Sequence, residues 1–133
     1  MGFFGTFSFS HGGWSDGPSE EEPSLTVDIH DSDIATIDCR APRCGTGRCY
    51  LGTQPREYFE DSTASDPVDL AAEARRLGEW AGEAIGSSVD AAMIRPLLAA
   101  EGVDPVDDFV EETVLRLCEL LGLPTPVALS AEG

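Results

Sequence analysis

The pattern of hydrophobic and polar residues changes near the middle of the chain. In the first half, apolar residues recur at every second position, as in half-buried β-strands. Residues 25–29 and 35–39 are the clearest pair, because each segment carries three apolar side chains in strict alternation. A loop at residues 31–33 would join them into a hairpin whose apolar side chains share one buried face. This register pairs Leu25 with Cys39, Val27 with Ile37 and Ile29 with Ala35.

Weaker strand signals flank this hairpin. Residues 3–9 place three phenylalanines on one face of an alternating run, and a turn at 11–13 leads to a return strand at Trp14. Residues 49–53 read as a further strand, which Pro55 ends because proline cannot donate to a sheet. The first half is therefore predicted to form a small antiparallel sheet.

In the second half the apolar spacing becomes helical. One helix is predicted to follow the cap Asp66 and the helix-starting Pro67, because this pair is typical of a helix N-terminus. Gly86 supplies its stop, and its apolar stripe at helical spacing is Leu70, Ala74, Leu77, Ala81, Ala84 and Ile85.

Shorter helical segments are predicted next. One spans residues 87–94, and Pro96 restarts the chain as a further turn over 97–101 that Gly102 ends. Asp104 then repeats the signal of a cap followed by proline, which predicts a last helix. The apolar stripe of this helix, which Gly122 ends, is Val106, Phe109, Val110, Val114, Leu117, Cys118 and Leu121.

These signals together predict an α+β fold, with an N-terminal antiparallel sheet of three to five strands packed by two or three C-terminal helices. A chain of 133 residues fits a single domain, 1–133. We expect a strand-rich half at 1–56, a helical half at 66–122 and a frayed tail at 124–133.

Charge is the unusual feature of the composition. Eight arginines, no lysine and 25 acidic residues give a formal net charge of −17. Such a field repels nucleic-acid backbones and anionic membranes and attracts basic partners. The alternative explanation is that the acidic surface only keeps the protein soluble. The chain shows no signal-peptide pattern and no run of the roughly 18 apolar residues that a membrane span needs. We therefore expect a cytoplasmic protein that binds neither nucleic acid nor membrane.

Residues 39–49, CRAPRCGTGRC, hold three of the four cysteines. As a metal site the ligands would be Cys39, Cys44 and Cys49, but structural zinc prefers cysteines two to four residues apart in pairs, which this spacing lacks. A disulfide is a second interpretation, either between Cys39 and Cys49, facing each other across a hairpin loop, or between Cys44 and one of these two cysteines. Partly buried free thiols are expected in a reducing cytoplasm. We predict neither a metal nor another cofactor.

The same segment is rich in arginine. Gly45-Thr46-Gly47 could turn backbone amides inward as a nest, and guanidinium groups suit phosphate or carboxylate. The alternative is that these arginines pair with surplus carboxylates at the surface. The candidate anion-binding residues are Arg40, Arg43, Arg48 and Arg56.

Catalytic motifs are sparse. Cys44 could act as a nucleophile if the neighbouring arginines lowered its pKa. The sequence has no nucleophile-elbow, zincin or dinucleotide-binding motif, so we do not expect an enzyme.

Two stretches, IHDSDIATIDCR and GTGRCYLGTQPREYFEDSTASDP, carry a resemblance. Over roughly residues 1–80 the chain resembles small, acidic, uncharacterised proteins of high-GC actinobacteria, which begin with a similar MGFFGT-like strand. The resemblance implies that cysteines in the 39–49 segment are a local variation. It implies no activity.

The function expected from these observations is that of a small acidic interaction protein, such as an immunity protein or inhibitor that binds a basic macromolecule. Complementary charge would give such a binder fast association without catalytic residues. The alternative is a regulatory module that binds an anionic ligand or a metal at residues 39–56. The acidic contact patch of the first hypothesis would be Glu20, Glu21, Glu22, Asp28, Asp31 and Asp33.

Overall fold

The structure, a computed structural model, describes residues 4–65, 69–100, 102, 104–105, 107–126 and 129. Strands occupy its first part and helices its second, so the predicted α+β class is confirmed. Within the described residues the strands are β1 (Gly5–Ser10), β2 (Gly13–Asp16), β3 (Ser24–His30), β4 (Ile34–Ala41) and β5 (Gly45–Gly52). The helices are α1 (Pro55–Tyr58), α2 (Leu70–Ile85), α3 (Ala91–Ile94), a 3₁₀ turn (Arg95–Leu97) and α4 (Val110–Leu121).

The five described strands form one antiparallel sheet in the order β2-β1-β3-β4-β5. The predicted hairpin register is confirmed, since Leu25 lies opposite Cys39, Val27 opposite Ile37 and Ile29 opposite Ala35. All six side chains are buried. We call the side of the sheet to which they point the inner face, and the opposite side the outer face. Because strand side chains alternate, the outer face receives every second, mostly polar residue.

Helices α2 and α4 pack on the inner face against β4 and β5. At the centre of this contact lies Trp80, which is fully buried and donates a hydrogen bond of 3.0 Å from Nε1 to the carbonyl oxygen of Arg40. Phe9 contacts Trp80 edge to face, with ring centroids 6.4 Å apart. The sequence prediction missed Trp80 because the stripe of helix α2 was assigned to its smaller apolar residues.

The ends of α2 and α4 follow capping chemistry. Asp69 caps α2 by accepting a hydrogen bond of 3.1 Å from the amide of Ala72, whereas the predicted cap, Asp66 with Pro67, lies outside the described residues. Gly86 and Gly122 end α2 and α4 with φ angles of 68° and 85°, as predicted. These left-handed angles cost glycine nothing, which explains the sharp stops.

Two predictions between these helices were wrong. The segment after α2 becomes helical at Ala91, after the cap Asp90, rather than at residue 87. The helical turn predicted over 97–101 does not form at Leu98, which makes a β-bridge to Leu51 instead. The amide of Leu98 still closes the preceding turn by donating to Arg95 at 3.1 Å, but the amide of Ala99 donates to Tyr50 of strand β5 at 2.7 Å.

The start of the last helix was also wrong. Helix α4 begins at Val110, and Phe109, which was predicted in its buried stripe, is 58% exposed. The cause is the turn after β3, where the carbonyl oxygen of Ser32 accepts the amide of Val110 at 2.8 Å and its hydroxyl bonds to Glu111. A tertiary contact thus sets the helix start, while the predicted Val106 lies outside the described residues. The remaining stripe residues, Val110, Val114, Leu117, Cys118 and Leu121, are buried as predicted.

The two edges of the sheet are treated differently. At the β5 edge, the Leu98 bridge and the Ala99 hydrogen bond occupy backbone groups of Tyr50 and Leu51. At the other edge, β2 is four residues long and largely exposed. Trp14 holds β2 to the body of the protein by donating from Nε1 to the carbonyl oxygen of Pro124 at 2.7 Å. Within the described ranges, no helix has the length and apolar character needed to cross a membrane.

Candidate functional site

One corner of the outer face is covered by the chain that follows β5. Helix α1 begins at Pro55, which sequence analysis took as the end of a strand, and it is followed by Phe59. Pro55 and the outer-face residue Ile34 are both buried here. The rest of the outer face is open, so α1 forms one wall of a recess whose floor is the sheet.

The recess has a volume of about 220 Å³. Its floor is a row of directly opposed residues on neighbouring strands, in which Asp28 lies opposite Thr36 and Thr36 opposite Tyr50. We call this recess the outer-face pocket. Its lining consists of Asp28, His30, Ile34, Thr36, Arg48, Tyr50, Pro55, Phe59 and Ala64.

An aromatic cluster forms the rim of the outer-face pocket. The ring of His30 lies 4.8 Å from that of Phe4, 5.3 Å from Tyr58 and 5.7 Å from Phe59, measured between centroids. Phe4 and Phe59 are each 54% exposed. We call these four residues the His30 cluster. Two exposed phenyl rings around one imidazole form an apolar patch of the kind that marks a contact surface.

The pocket carries negative charge. Arg48 is paired with Asp38 through Nε–Oδ1 and Nη2–Oδ2 distances of 2.7 and 3.4 Å, so its positive charge is locally balanced. Asp28 accepts a hydrogen bond of 2.9 Å from the hydroxyl of Thr6, which fixes the carboxylate without neutralising it. A cation entering the pocket would therefore meet an ionised carboxylate that a neutral donor holds in place.

Further carboxylates lie at the edge of the His30 cluster. Desolvation raises the pKa of Tyr58, and the negative charges of Asp31 and Asp33 raise it further. The negative charges of the hairpin turn therefore add to the negative potential of the pocket. We call Asp28, Asp31 and Asp33 the hairpin aspartates.

The predicted acidic patch is divided by the structure. Its other three members, which we call the loop glutamates, precede β3, whereas Asp31 and Asp33 follow it. Seven strand residues at about 3.3 Å each separate the two groups by about 23 Å. The carboxylate of Glu21 is hydrogen-bonded to His11, with 2.5 Å between Oε1 and Nε2, and this pair lies away from the aromatic rim. The loop glutamates are Glu20, Glu21 and Glu22.

The cysteine- and arginine-rich segment is a tight hairpin, so the longer hairpin loop that a Cys39–Cys49 disulfide would need does not form. Residues 45–47 belong to strand β5, so Gly45-Thr46-Gly47 does not form a nest. The turn is confined to residues 42–44, and Gly45 enters the strand with a φ of 80°. Arg43 and Arg56 lie beyond opposite ends of β5, about 26 Å apart for eight strand residues. The four candidate arginines, Arg40, Arg43, Arg48 and Arg56, therefore do not converge on one anion.

The turn does bind an anion, but one from its own chain. The amides of Arg43 and Cys44 donate to the two carboxylate oxygens of Glu83 on α2, each at 2.9 Å. Burial raises the pKa of the Cys44 thiol, and the charge of Glu83 raises it further. The condition under which Cys44 could act as a nucleophile, a pKa lowered by neighbouring arginines, is not met, because the Glu83 carboxylate contacts the turn instead.

The cysteines of this segment do not form a disulfide or a ligand set. Cys39 lies opposite Gly47, so Cys49 is its diagonal neighbour at a typical Cα separation of about 7–8 Å, beyond disulfide range. All four cysteines are free thiols. Burial raises the pKa of Cys39 to about 12 and that of Cys118 to about 12, so both stay protonated. Among the described residues, no group of histidine, cysteine or carboxylate side chains could hold a metal.

A smaller cavity, of about 120 Å³, lies between the start of α2 and strand β5. Glu73 lines it beside Cys39, Cys49 and Arg76. Desolvation raises the pKa of Glu73 to about 7. The cavity is too small for a cofactor-sized ligand, because pockets for such ligands hold about 300–1,000 Å³. We expect the Glu73 carboxyl to make the stability of the protein depend on pH instead.

Comparison of the chain with protein-family models, with curated proteins and with solved structures finds no match. The geometry of the chain itself therefore carries the functional argument. The charges of Asp28, Asp31 and Asp33 were predicted from the sequence, whereas the aromatic rings beside them were not. The alternation along β3 predicts that His30 and Asp28 share the outward face of the hairpin, whereas Phe59 reaches the site through a helix that the sequence did not predict.

Proposed function

We propose that the protein is a small acidic cytosolic interaction protein, of the immunity-protein or inhibitor type, that binds a basic protein through the outer face of its sheet. The observation that supports this most is the juxtaposition of the His30 cluster and the hairpin aspartates. Contact surfaces combine exposed aromatic residues at their centre with polar residues at the rim. A net charge of −17 adds long-range attraction for a cationic partner.

The regulatory-module alternative at residues 39–56 has less support. Its arginines are spread along β5, its buried cysteines point to the inner face, and Glu83 occupies the amides of its turn. The outer-face pocket, by contrast, is open and negatively charged.

The test is a pair of charge-matched variants, assayed by titration with a cationic peptide of alternating arginine and glycine. In the first variant the three hairpin aspartates are replaced by asparagine, and in the second the three loop glutamates are replaced by glutamine. Each variant loses three negative charges, but from a different part of the surface. We expect the first variant to bind about tenfold more weakly, and the second less than about threefold, because local pairing outweighs screened distant charge. Equal weakening would mean that net charge alone attracts the peptide, which would contradict the proposal.

The aromatic contribution has its own matched pair. Phe59 and Phe109 are exposed to similar extents, 54% and 58%, on different parts of the molecule. Phe59→Ser is expected to weaken binding by about tenfold, as for a contact residue near an interface centre, while Phe109→Ser leaves it unchanged. A proposal based on the His30 cluster fails if the two serine variants bind alike.

A further inference from the structure

The outer-face pocket has the size of a single side chain. Its volume of about 220 Å³ lies below the range of about 300–1,000 Å³ that is typical of sites for free small ligands. The pocket opens on the outer face beside the exposed ring of Phe59. A partner could therefore insert one residue into it while its neighbouring residues contact the rim.

The charge of the lining selects a cation. Within the lining, Arg48 is balanced by Asp38, whereas Asp28 has a hydroxyl partner, Thr6, and keeps its charge. The hairpin turn adds the charges of Asp31 and Asp33 at the rim, where they act on Tyr58. An anionic side chain would meet this field unfavourably, and a neutral one would gain nothing from it.

The shape of the lining distinguishes arginine from lysine. A guanidinium is planar, stacks on aromatic rings and can donate two parallel hydrogen bonds to a carboxylate. The pocket places the Asp28 carboxylate on its floor and the rings of His30 and Phe59 on its wall. A lysine ammonium would also pair with the carboxylate, but it would lose more hydration than a guanidinium does. It also lacks the planar group that stacks on the aromatic rings of the wall.

We infer that the outer-face pocket is an arginine-recognition subsite, in which the guanidinium of a partner arginine pairs with Asp28 and stacks on Phe59. This inference rests on the proposed binding of a basic protein, and it names the residue that anchors that partner. Arginine is among the residues that most often dominate the binding energy of interfaces.

The test uses three blocked tripeptides of the form glycine-X-glycine, in which X is arginine, lysine or citrulline. Citrulline keeps the shape of arginine and removes its charge. Binding is followed by chemical-shift changes of backbone amides in ¹⁵N-labelled protein. We expect arginine to shift the amides of His30, Thr36 and Phe59, with lysine several-fold weaker and citrulline about tenfold weaker or worse. Equal binding of citrulline, or shifts that map elsewhere, would overturn the inference.

Asp28→Asn is the decisive variant, with Glu22→Gln as a control of equal charge change. Asp28→Asn is expected to lower arginine-tripeptide affinity about tenfold, while Glu22→Gln leaves it within about twofold. A dispersed amide spectrum shows that each variant is folded. Unchanged binding by Asp28→Asn would refute the subsite.

Failure of the subsite and failure of the proposed function give different results. If the tripeptide does not bind in the pocket, but the long cationic peptide still distinguishes hairpin aspartates from loop glutamates, the subsite is wrong and the proposed function stands. If the long peptide fails to distinguish them while the arginine tripeptide binds at Asp28, the pocket recognises arginine but the proposed docking face is wrong.

Discussion

The inner and outer faces of the sheet are built from alternate residues of the same strands, yet they differ in almost every physical respect. Ile29 is buried under the helices, and the next residue, His30, lies exposed among aromatic rings on the opposite side. The inner face is continuous and covered, with Trp80 at its centre. The outer face is polar and open except at the corner formed by α1. The core and the proposed binding face thus lie on opposite sides of one hairpin, so we expect stability and the proposed binding to respond to different substitutions.

The strongest way to test this separation is to remove the centre of the inner face. Trp80→Ala is expected to lower the free energy of unfolding by about 3–5 kcal/mol, because it leaves a cavity and an unpaired carbonyl at Arg40. Urea denaturation measures this loss. The exposed Phe109→Ala should change stability by about 0.5 kcal/mol or less. A loss below about 1 kcal/mol for Trp80→Ala would mean that the helices contribute little to the core.

A smaller effect is expected where the inner face meets the β4–β5 turn. Glu83→Gln replaces a carboxylate that accepts two backbone hydrogen bonds and is expected to cost about 1–2 kcal/mol. It also removes a charge that raises the pKa of Cys44, so alkylation of Cys44 near pH 8 should become faster. Cys39 and Cys49 should remain protected by burial.

The control for this prediction lies on the same helix. Glu79 also raises the pKa of Cys44, but more weakly than Glu83 does. Glu79→Gln should therefore accelerate alkylation less and leave stability nearly unchanged. If both variants accelerate alkylation equally, the direct contact with Glu83 is not what suppresses the thiolate.

The smallest expected effect is a pH dependence at the edge of the inner face. Burial raises the pKa of Glu73 to about 7, above the value of about 4.3 in an unfolded chain, so the folded state resists ionisation of this group. The wild type therefore loses stability relative to Glu73→Gln as the pH rises from about 4.5 to about 7. Because the side chain is only partly buried and solvent screens its charge, we expect a difference of about 1 kcal/mol at pH 8 and none below about pH 4.

Urea denaturation of the two proteins at several pH values measures this difference. Glu79→Gln, an exposed change on the same helix, is the control and should show no such dependence. A constant difference between wild type and Glu73→Gln at every pH would indicate a packing effect rather than ionisation.

The parts of the fold that the sequence predicted are those with local causes. Strict alternation determined the register of Leu25 with Cys39, and glycine conformation determined the helix stops at Gly86 and Gly122. The errors have tertiary causes. Helix α4 begins at Val110, whose amide donates a hydrogen bond to the carbonyl oxygen of Ser32. This contact with a distant turn cannot be read from the residues near position 104.

The candidate site was predicted in part. The charges of Asp28, Asp31 and Asp33 are visible in the sequence, but their separation from the loop glutamates follows from strand direction. The aromatic rim joins Phe4, His30 and Phe59, which are far apart along the chain. Such a rim becomes visible once the strand order and the path of α1 are known.

The unequal edges of the sheet bear on where copies of the molecule could associate through their strands. An exposed strand edge can recruit another copy of the chain and extend into an aggregate. The bridge from Leu98 to Leu51 closes part of the β5 edge to such recruitment, which directs any self-assembly towards the short β2. There two copies that each carry a net charge of −17 would have to meet. The acidity proposed to attract a partner would thus also keep the protein monodisperse, and high salt is the condition under which fibrous growth from β2 should be sought.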